Sequence, residues 1–285
     1  MDLLAGLNTQ QLTAVTLPPV PALILAGAGS GKTRVLTTRI AWLLQTQQCS
    51  AAGILAVTFT NKAAKEMRTR LSGMVSFNPR SIWVGTFHGL CHRFLSTHSQ
   101  EAGLPHSFQI LDQSDQLGAI KRLLKLLQID IEKYAPKVVQ HFINQQKEQG
   151  LRADVVPVQD VFSQRLVEIY TAYEAQCQRE GVVDFAELLL RSAELLQRNQ
   201  SLREHYQTRF QHILVDEFQD TNCLQYAWLK LLAGEKGRIF AVGDDDQSIY
   251  AFRGANVGNM HDFQREYQID GLIRLEQNYR SKGNI

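Results

Sequence analysis

Apolar residues along the chain fall into two rhythms. Short unbroken runs occur at Leu23 to Ala26, Gly53 to Phe59, Ser81 to Phe87, His212 to Glu217 and Arg238 to Asp244, and each reads as a buried strand. Between the first three lie helical spacings: Val35, Leu36, Ile40 and Leu43, then a basic stretch from Thr60 to Met67. Strands alternating with helices predict βαβ units and a parallel sheet. From 89 to 208 the rhythm is almost purely helical. Leu117, Ile120, Leu123, Leu124 and Leu127 share one face, and Phe162, Leu166, Ile169, Tyr173 and Cys177 share another that Gly181 should end. Asp184 and Glu187 have the spacing of a capping box for a helix from Ala186 to Leu196. The expectation is an α/β domain of residues 1–88 and 209–285, interrupted by an all-helical insertion over 89–208.

A short helix over 7–15, with Asn8 as N-cap, should precede the first strand. On pattern alone its Gln11 reads as a solvent-facing polar residue. The chain has 285 residues, 44% of them hydrophobic, enough for a large core. A net charge of +2 neither requires nor excludes a polyanionic partner. Locally, residues 60–100 carry Lys62, Lys65, Arg68, Arg70, Arg80 and Arg93 against the single acid Glu66, which opens the possibility of nucleic acid. Cys49, Cys91, Cys177 and Cys223 are too far apart for a C-x-x-C zinc or redox pair and suit a reducing cytosol. No basic leader precedes an apolar core at the N-terminus, and no apolar stretch approaches the roughly 18 residues of a membrane span, so no membrane partner is expected.

The chemistry begins in Ala26-Gly27-Ala28-Gly29-Ser30-Gly31-Lys32-Thr33-Arg34. A strand, a glycine loop and a helix start together make a phosphate cradle. The loop N–H groups and helix dipole face the anion, Lys32 reaches the β/γ-phosphates and Thr33 offers its hydroxyl to Mg²⁺. Ala26 stands where the usual pattern has glycine. Taken alone, the loop fits any P-loop kinase or nucleoside triphosphatase. Asp216 and Glu217 end an apolar strand, and hydrolysis needs both a metal ligand and a base for water. Asp216 suits the metal, Glu217 the water. In an open parallel sheet the ligand crevice lies at the carboxyl ends of the strands, so Thr58, Thr86, Asp216 and Asp244 should gather beside the loop.

Asp-Glu-Phe-Gln-Asp at 216–220, Val-Gly-Asp-Asp-Asp-Gln-Ser-Ile-Tyr at 242–250 and Gln-Asn-Tyr-Arg-Ser at 277–281 resemble successive motifs of superfamily 1 helicases of the UvrD/Rep/PcrA branch. The resemblance runs in order from 7–15 to Ile285, and Ala26 is common in this branch. It implies a RecA-like ATP-binding domain, 1A, with the insertion as domain 1B. It also implies ATP and Mg²⁺ as cofactors, with Gln11 on the adenine edge and Arg34 and Tyr279 flanking the base. Gln247 would sense the γ-phosphate and Arg280 would place a guanidinium on it. Phe59, Asn61, Lys62, Thr86, Phe87, His88, Tyr250, Phe252 and Arg253 would line a path for single-stranded DNA. Relatives carry Trp at the position of Phe252, which leaves a smaller stacking face. Asn144 and Lys147 resemble a family signature in the insertion, although the residues alone read as polar positions on a helix.

The function so implied is 3′→5′ translocation on single-stranded DNA and unwinding at single-strand/duplex junctions. The pathway implied is mismatch or nucleotide excision repair, with repair proteins as partners in a bacterial, nucleoid-associated cytosol. The family also has a second RecA-like domain that the sequence does not contain. The chain is therefore expected to be the N-terminal portion of a helicase, inactive in unwinding by itself.

Overall fold

The computed structural model describes residues 3–75, 81–235, 237–244, 258–269 and 271–279. They fall in two compact units, one of Met1–Leu90 with Asn199–Ile285 and the other of Cys91–Arg198.

The first unit is built on six strands, all paired in parallel: β1 (Ala22–Ala26), β2 (Ile54–Thr58), β3 (Trp83–Thr86), β6 (His212–Val215), β7 (Ile239–Gly243) and β8 (Ile273–Leu275). Their order is β3-β2-β6-β7-β1-β8. β1, β2, β6 and β7 are buried along their whole length. Burial on both faces is why they appear in the sequence as unbroken apolar runs rather than alternations. Ile24, Ala26, Ile54, Ala56, Leu214, Phe240 and Val242 pack with residues from α1 (Thr9–Thr16), α2 (Lys32–Gln45) and α3 (Asn61–Met74). β8 has no counterpart in the sequence reading, because three residues ending at Leu275 carry too little pattern.

Arg39 of α2 is a charged residue with 1% exposure. Its guanidinium donates to the carbonyls of Ala14, Val15, Leu17 and Pro18 and lies over the Phe240 ring. Ala14 and Val15 lie in the last turn of α1 and Leu17 and Pro18 follow it, so one side chain both closes that helix and fastens it to α2. Helix α9 (Gln200–Arg209), assigned from sequence to the insertion, falls in the first unit: Tyr206 and Phe210 set their rings edge-on to Trp83 of β3.

After α4 (Phe87–Thr97), the second unit contains α5 (Gln113–Leu126), α6 (Pro136–Glu148), α7 (Val161–Glu180) and α8 (Phe185–Arg198), with β4 (Gln109–Leu111) and β5 (Val182–Asp184) forming a two-stranded parallel ribbon. It is thus not wholly helical; strands of three residues leave no legible period. Ile120, Leu124, Val139, Ile143, Ile169, Tyr170 and Tyr173 form its core. α7 ends at Gly181 with φ +66°. Two stripe positions stand at the rim, Leu127 at 38% and Phe162 at 38% exposure, while Tyr170 joins the core. Asp184 Oδ1 does cap α8 by accepting from Glu187 N–H at 2.8 Å. The Glu187 carboxylate, however, goes to Lys147, Arg152 and Arg191 rather than back to the cap.

Lys147 itself is 2% exposed, its ammonium 2.7 Å from Asp184 and 2.9 Å from Glu187. Tyr173 Oη and Gln116 Nε2 also donate to Asp184. Gln116 in turn exchanges hydrogen bonds with Asn144. What reads as a polar helix face is a closed ionic cluster tying α5, α6, α7 and α8.

Candidate active site

Parallel pairing puts the carboxyl ends of all six strands on one edge. Ala26, Thr58 and Thr86 end β1, β2 and β3 there, and Asp216 and Asp244 are the first residues past β6 and β7. The glycine loop runs from β1 into α2 at the same edge. Gly31 is the N-cap of α2 with φ +90°, a left-handed conformation, and a Cβ on it would meet Gln11 Nε2 at 2.8 Å. Both constraints require glycine. Ser30 closes the loop by donating from Oγ to the Gly27 carbonyl at 2.7 Å. Gly27, Gly29, Gly31 and Thr33 are half-buried, and Ala28 and Arg34 are exposed.

Gln11 is not solvent-facing. It is fully buried and its amide is engaged at both ends: Oε1 accepts from Asn8 N–H, and Nε2 donates to the Ser30 carbonyl at 3.0 Å. The first bond completes a capping box at the start of α1, and the second fastens that helix to the loop. Tyr279 comes to the same place from the far end of the described chain. Its N–H donates to Gly29 O at 2.9 Å and its hydroxyl takes a bond from Asn8 Nδ2 and gives one to Gln277. Tyr279 is 49% exposed. Arg34 reaches the Ala5 carbonyl. Gln11, Arg34 and Tyr279 are thus brought round one loop; Asn8, which caps α1 as expected, joins them with Gln277, to which the sequence reading gave no role of its own.

Lys32 Nζ lies 2.9 Å from Glu217 Oε2 and 3.7 Å from Asp244 Oδ2. Glu217 has φ +49°, left-handed for a residue with a Cβ, on the turn between β6 and the 3-10 segment Phe218–Asp220. Such a conformation costs about 1–2 kcal/mol and is held by its surroundings. Asp216 is 6% exposed, and burial, then the neighbouring Glu217, push its carboxyl up to about 6 against the pull of Lys32. Its Oδ1 accepts from Glu217 N–H at 3.2 Å. Gln219, to which the sequence reading gave no role, donates to Glu217 and accepts from Asp244 N–H. The only signal was an amide two residues beyond a paired acid.

Among the described residues no cluster of three or more His, Cys, Asp or Glu forms a metal site. Mg²⁺ held with a nucleotide needs only one or two protein oxygens, the rest coming from phosphate and water. A buried carboxylate with a raised proton affinity, Asp216, fits that requirement, as does the oxygen chemistry of Thr33.

At the ends of β2 and β3, Asn61 and Lys62 are exposed, while Phe59, Thr86 and His88 are half-buried. Phe87 is 2% exposed, with its ring edge-on to Phe59 and Trp228, so it backs Phe59 instead of facing a base. Burial pushes the His88 imidazole below its ordinary value. Gln247, Arg280, Tyr250, Phe252 and Arg253 lie outside the described residues. A cavity of about 700 Å³ lined by Arg203, Gln207, Phe210, Gln211 and Arg238 adjoins the amino ends of β6 and β7, and contains none of the candidate residues. No helix among the described residues is long and apolar enough to cross a membrane.

A family model described as the UvrD/REP helicase N-terminal domain matches residues 7–268. The chain is 51% identical to DNA helicase II of Escherichia coli (strain K12) over 288 residues, covering 99% of this chain and 39% of that protein. It is 50% identical to DNA helicase II of Haemophilus influenzae, covering 100% of this chain and 40% of the relative. Identity to the ATP-dependent DNA helicase PcrA of Staphylococcus aureus is 42%, with 99% and 39% covered. The chain therefore spans about two-fifths of the length of these curated relatives.

Proposed function

Because this chain belongs to the UvrD/Rep helicase N-terminal family, we propose that it is the ATP-binding half of a 3′→5′ DNA helicase that translocates on single-stranded DNA and opens duplexes during DNA repair. The observation that carries this reading is Lys32 paired with Glu217, beside Asp244, at the edge where the glycine loop meets α2. A nucleotide's phosphates would settle over the loop and draw Lys32 away from Glu217. That carboxylate is then free to take a proton from the attacking water. Asp216 and Thr33 would hold Mg²⁺, whose contribution is to neutralise charge on the β/γ-oxygens. Gln11, Arg34 and Tyr279 would surround the adenine; Gln247 and Arg280 would act at the γ-phosphate. Phe59, Asn61, Lys62, Thr86 and His88, with Tyr250, Phe252 and Arg253, would carry the DNA strand. Phe87 would support that surface from beneath. Mismatch and excision repair factors are the proposed partners.

The test is binding of a fluorescent ATP analogue together with DNA-stimulated hydrolysis in Lys32→Ala and Glu217→Gln. Lys32→Ala should lose both. Glu217→Gln should keep the affinity while turnover falls about 10²–10⁴-fold, the usual contribution of a general base. Normal hydrolysis by Glu217→Gln would remove the base assignment. Polarity is read from strand displacement on duplexes carrying a 3′ or a 5′ single-stranded tail.

The span of two-fifths of the relatives' length favours a second reading for these residues taken alone. They would bind ATP and single-stranded DNA without unwinding. Robust unwinding by the 285 residues would exclude it.

A further inference from the structure

We propose that Gln219 is a positioning residue for Glu217, clamping its carboxylate to the end of β7 when Lys32 turns to phosphate. The proposal rests on Glu217 as the base. Among the described residues the Glu217 carboxylate has two donors at hydrogen-bond distance: Lys32 Nζ at 2.9 Å and Gln219 Nε2 at 2.8 Å, both on Oε2. If the phosphates take the first, the second remains. A base left on one flexible side chain would sweep several ångströms, and a misplacement of about 1 Å can cost 10²-fold in rate.

The clamp is built for one orientation. Gln219 is 2% exposed, and its Oε1 accepts from the backbone N–H of Asp244 at 3.0 Å. A backbone N–H can only donate, so it fixes which end of the amide is oxygen and turns the NH₂ toward Glu217. Gly243 permits the approach, since a Cβ there would stand 3.0 Å from Gln219 Oε1. The turn beneath is equally fixed. Phe218 is fully buried against Tyr226 and Phe263, and Asn259 Nδ2 donates to both Thr221 O and Thr221 Oγ1. Glutamine satisfies both partners at once. Glutamate at 219 would set one carboxylate against another, and methionine would offer neither bond.

The experiment measures ATP turnover with single-stranded DNA, KM, and affinity for a fluorescent ATP analogue. It uses the complete gene product that carries this sequence, unsubstituted and as Q219M, Q219E, E217Q and Q219M/E217Q, with melting temperature as a check on folding. Q219M and Q219E should each lower kcat about 10–100-fold, with KM and analogue affinity held within about threefold. Adding Q219M to E217Q should change the residual rate less than twofold, because a residue acting through Glu217 has nothing left to position. If Q219M misfolds, the nearly isosteric Q219E carries the same expectation.

Three results overturn the proposal and leave the proposed function standing. They are kcat within about twofold of the unsubstituted protein in both Gln219 variants, analogue affinity falling as far as kcat, or the same loss repeated on the E217Q background. An inactive unsubstituted protein, or an E217Q variant of normal rate, overturns the reading of Glu217 and the proposal with it.

Discussion

Lys32 lies 2.9 Å from Glu217 and 3.7 Å from Asp244; Lys147 lies 2.7 Å from Asp184 and 2.9 Å from Glu187. The residue types are the same, and so is the count of two carboxylates to one ammonium. The surroundings differ. In the second unit Asp184 takes bonds from Lys147, Tyr173, Gln116 and the Glu187 N–H, and Glu187 meets Lys147, Arg152 and Arg191. Although burial favours its protonation, Lys147 and Arg152 hold the Glu187 carboxyl well below the ordinary range. At the glycine-loop edge, Glu217 is 35% exposed, and buried Asp216 is pushed up to about 6. One cluster is saturated. The other holds in Asp216 a buried carboxylate pushed towards protonation, and so has something to gain from a cation arriving beside it.

Breaking each cluster should therefore give opposite results. Lys147→Met leaves two buried carboxylates without their ammonium and should cost about 3–5 kcal/mol in urea unfolding, with nucleotide affinity of the folded protein unchanged. Lys32→Met should cost at most about 1 kcal/mol, since Glu217 keeps contact with water, while nucleotide affinity collapses. Equal stability losses in the two variants would erase the distinction.

A smaller effect separates the units by pH. Burial, then Arg39 and Arg238, push the β6 residue His212 down to about 4 from an ordinary 6.5. The unfolded chain takes up the proton near 6.5 and the folded one only near 4, so the stability tied to neutral His212 is complete above 6.5. It drains as pH falls towards 4, by on the order of 3 kcal/mol. His212→Gln should flatten that slope in the first unit, followed by unfolding free energy between pH 7 and 4; an unchanged slope would show that His212 is protonated in the fold.

The smallest effect should not distinguish the units at all. Asn222, which caps the first-unit helix Cys223–Ala233, and Asp160, which caps α7 in the second, each complete a capping box. Replacing either with Ala should cost about 1 kcal/mol, because capping is local. Markedly unequal losses in thermal melts would show that the units respond differently even to local damage.

The same contrast explains what the sequence made legible. β1, β2, β6 and β7 were readable because strands buried on both faces must be apolar at every position. That the Lys32 loop and the Asp216-Glu217 pair meet at one edge was readable because both follow apolar strands of one parallel sheet. Lys147 was not, for a buried lysine looks like any other until its partners, 37 and 40 residues away, are folded onto it. Gln11 was misread from pattern for a related reason: its carbonyl partner, Ser30, lies across the loop. β4, β5 and β8 were missed because three residues define no period.

The strand order has a consequence in time. β1 is made first, yet its two neighbours are β7 and β8, and β7 begins at Ile239, 213 residues after Ala26. At ribosomal rates that interval is roughly 10–40 s, during which an apolar strand has both edges open. β4 and β5, which pair with each other, are both made within that interval. The glycine loop emerges early and gains its last contact when Tyr279 reaches Gly29. A nascent chain halted before that point carries the glycine-loop sequence without the bond that Tyr279 brings to it.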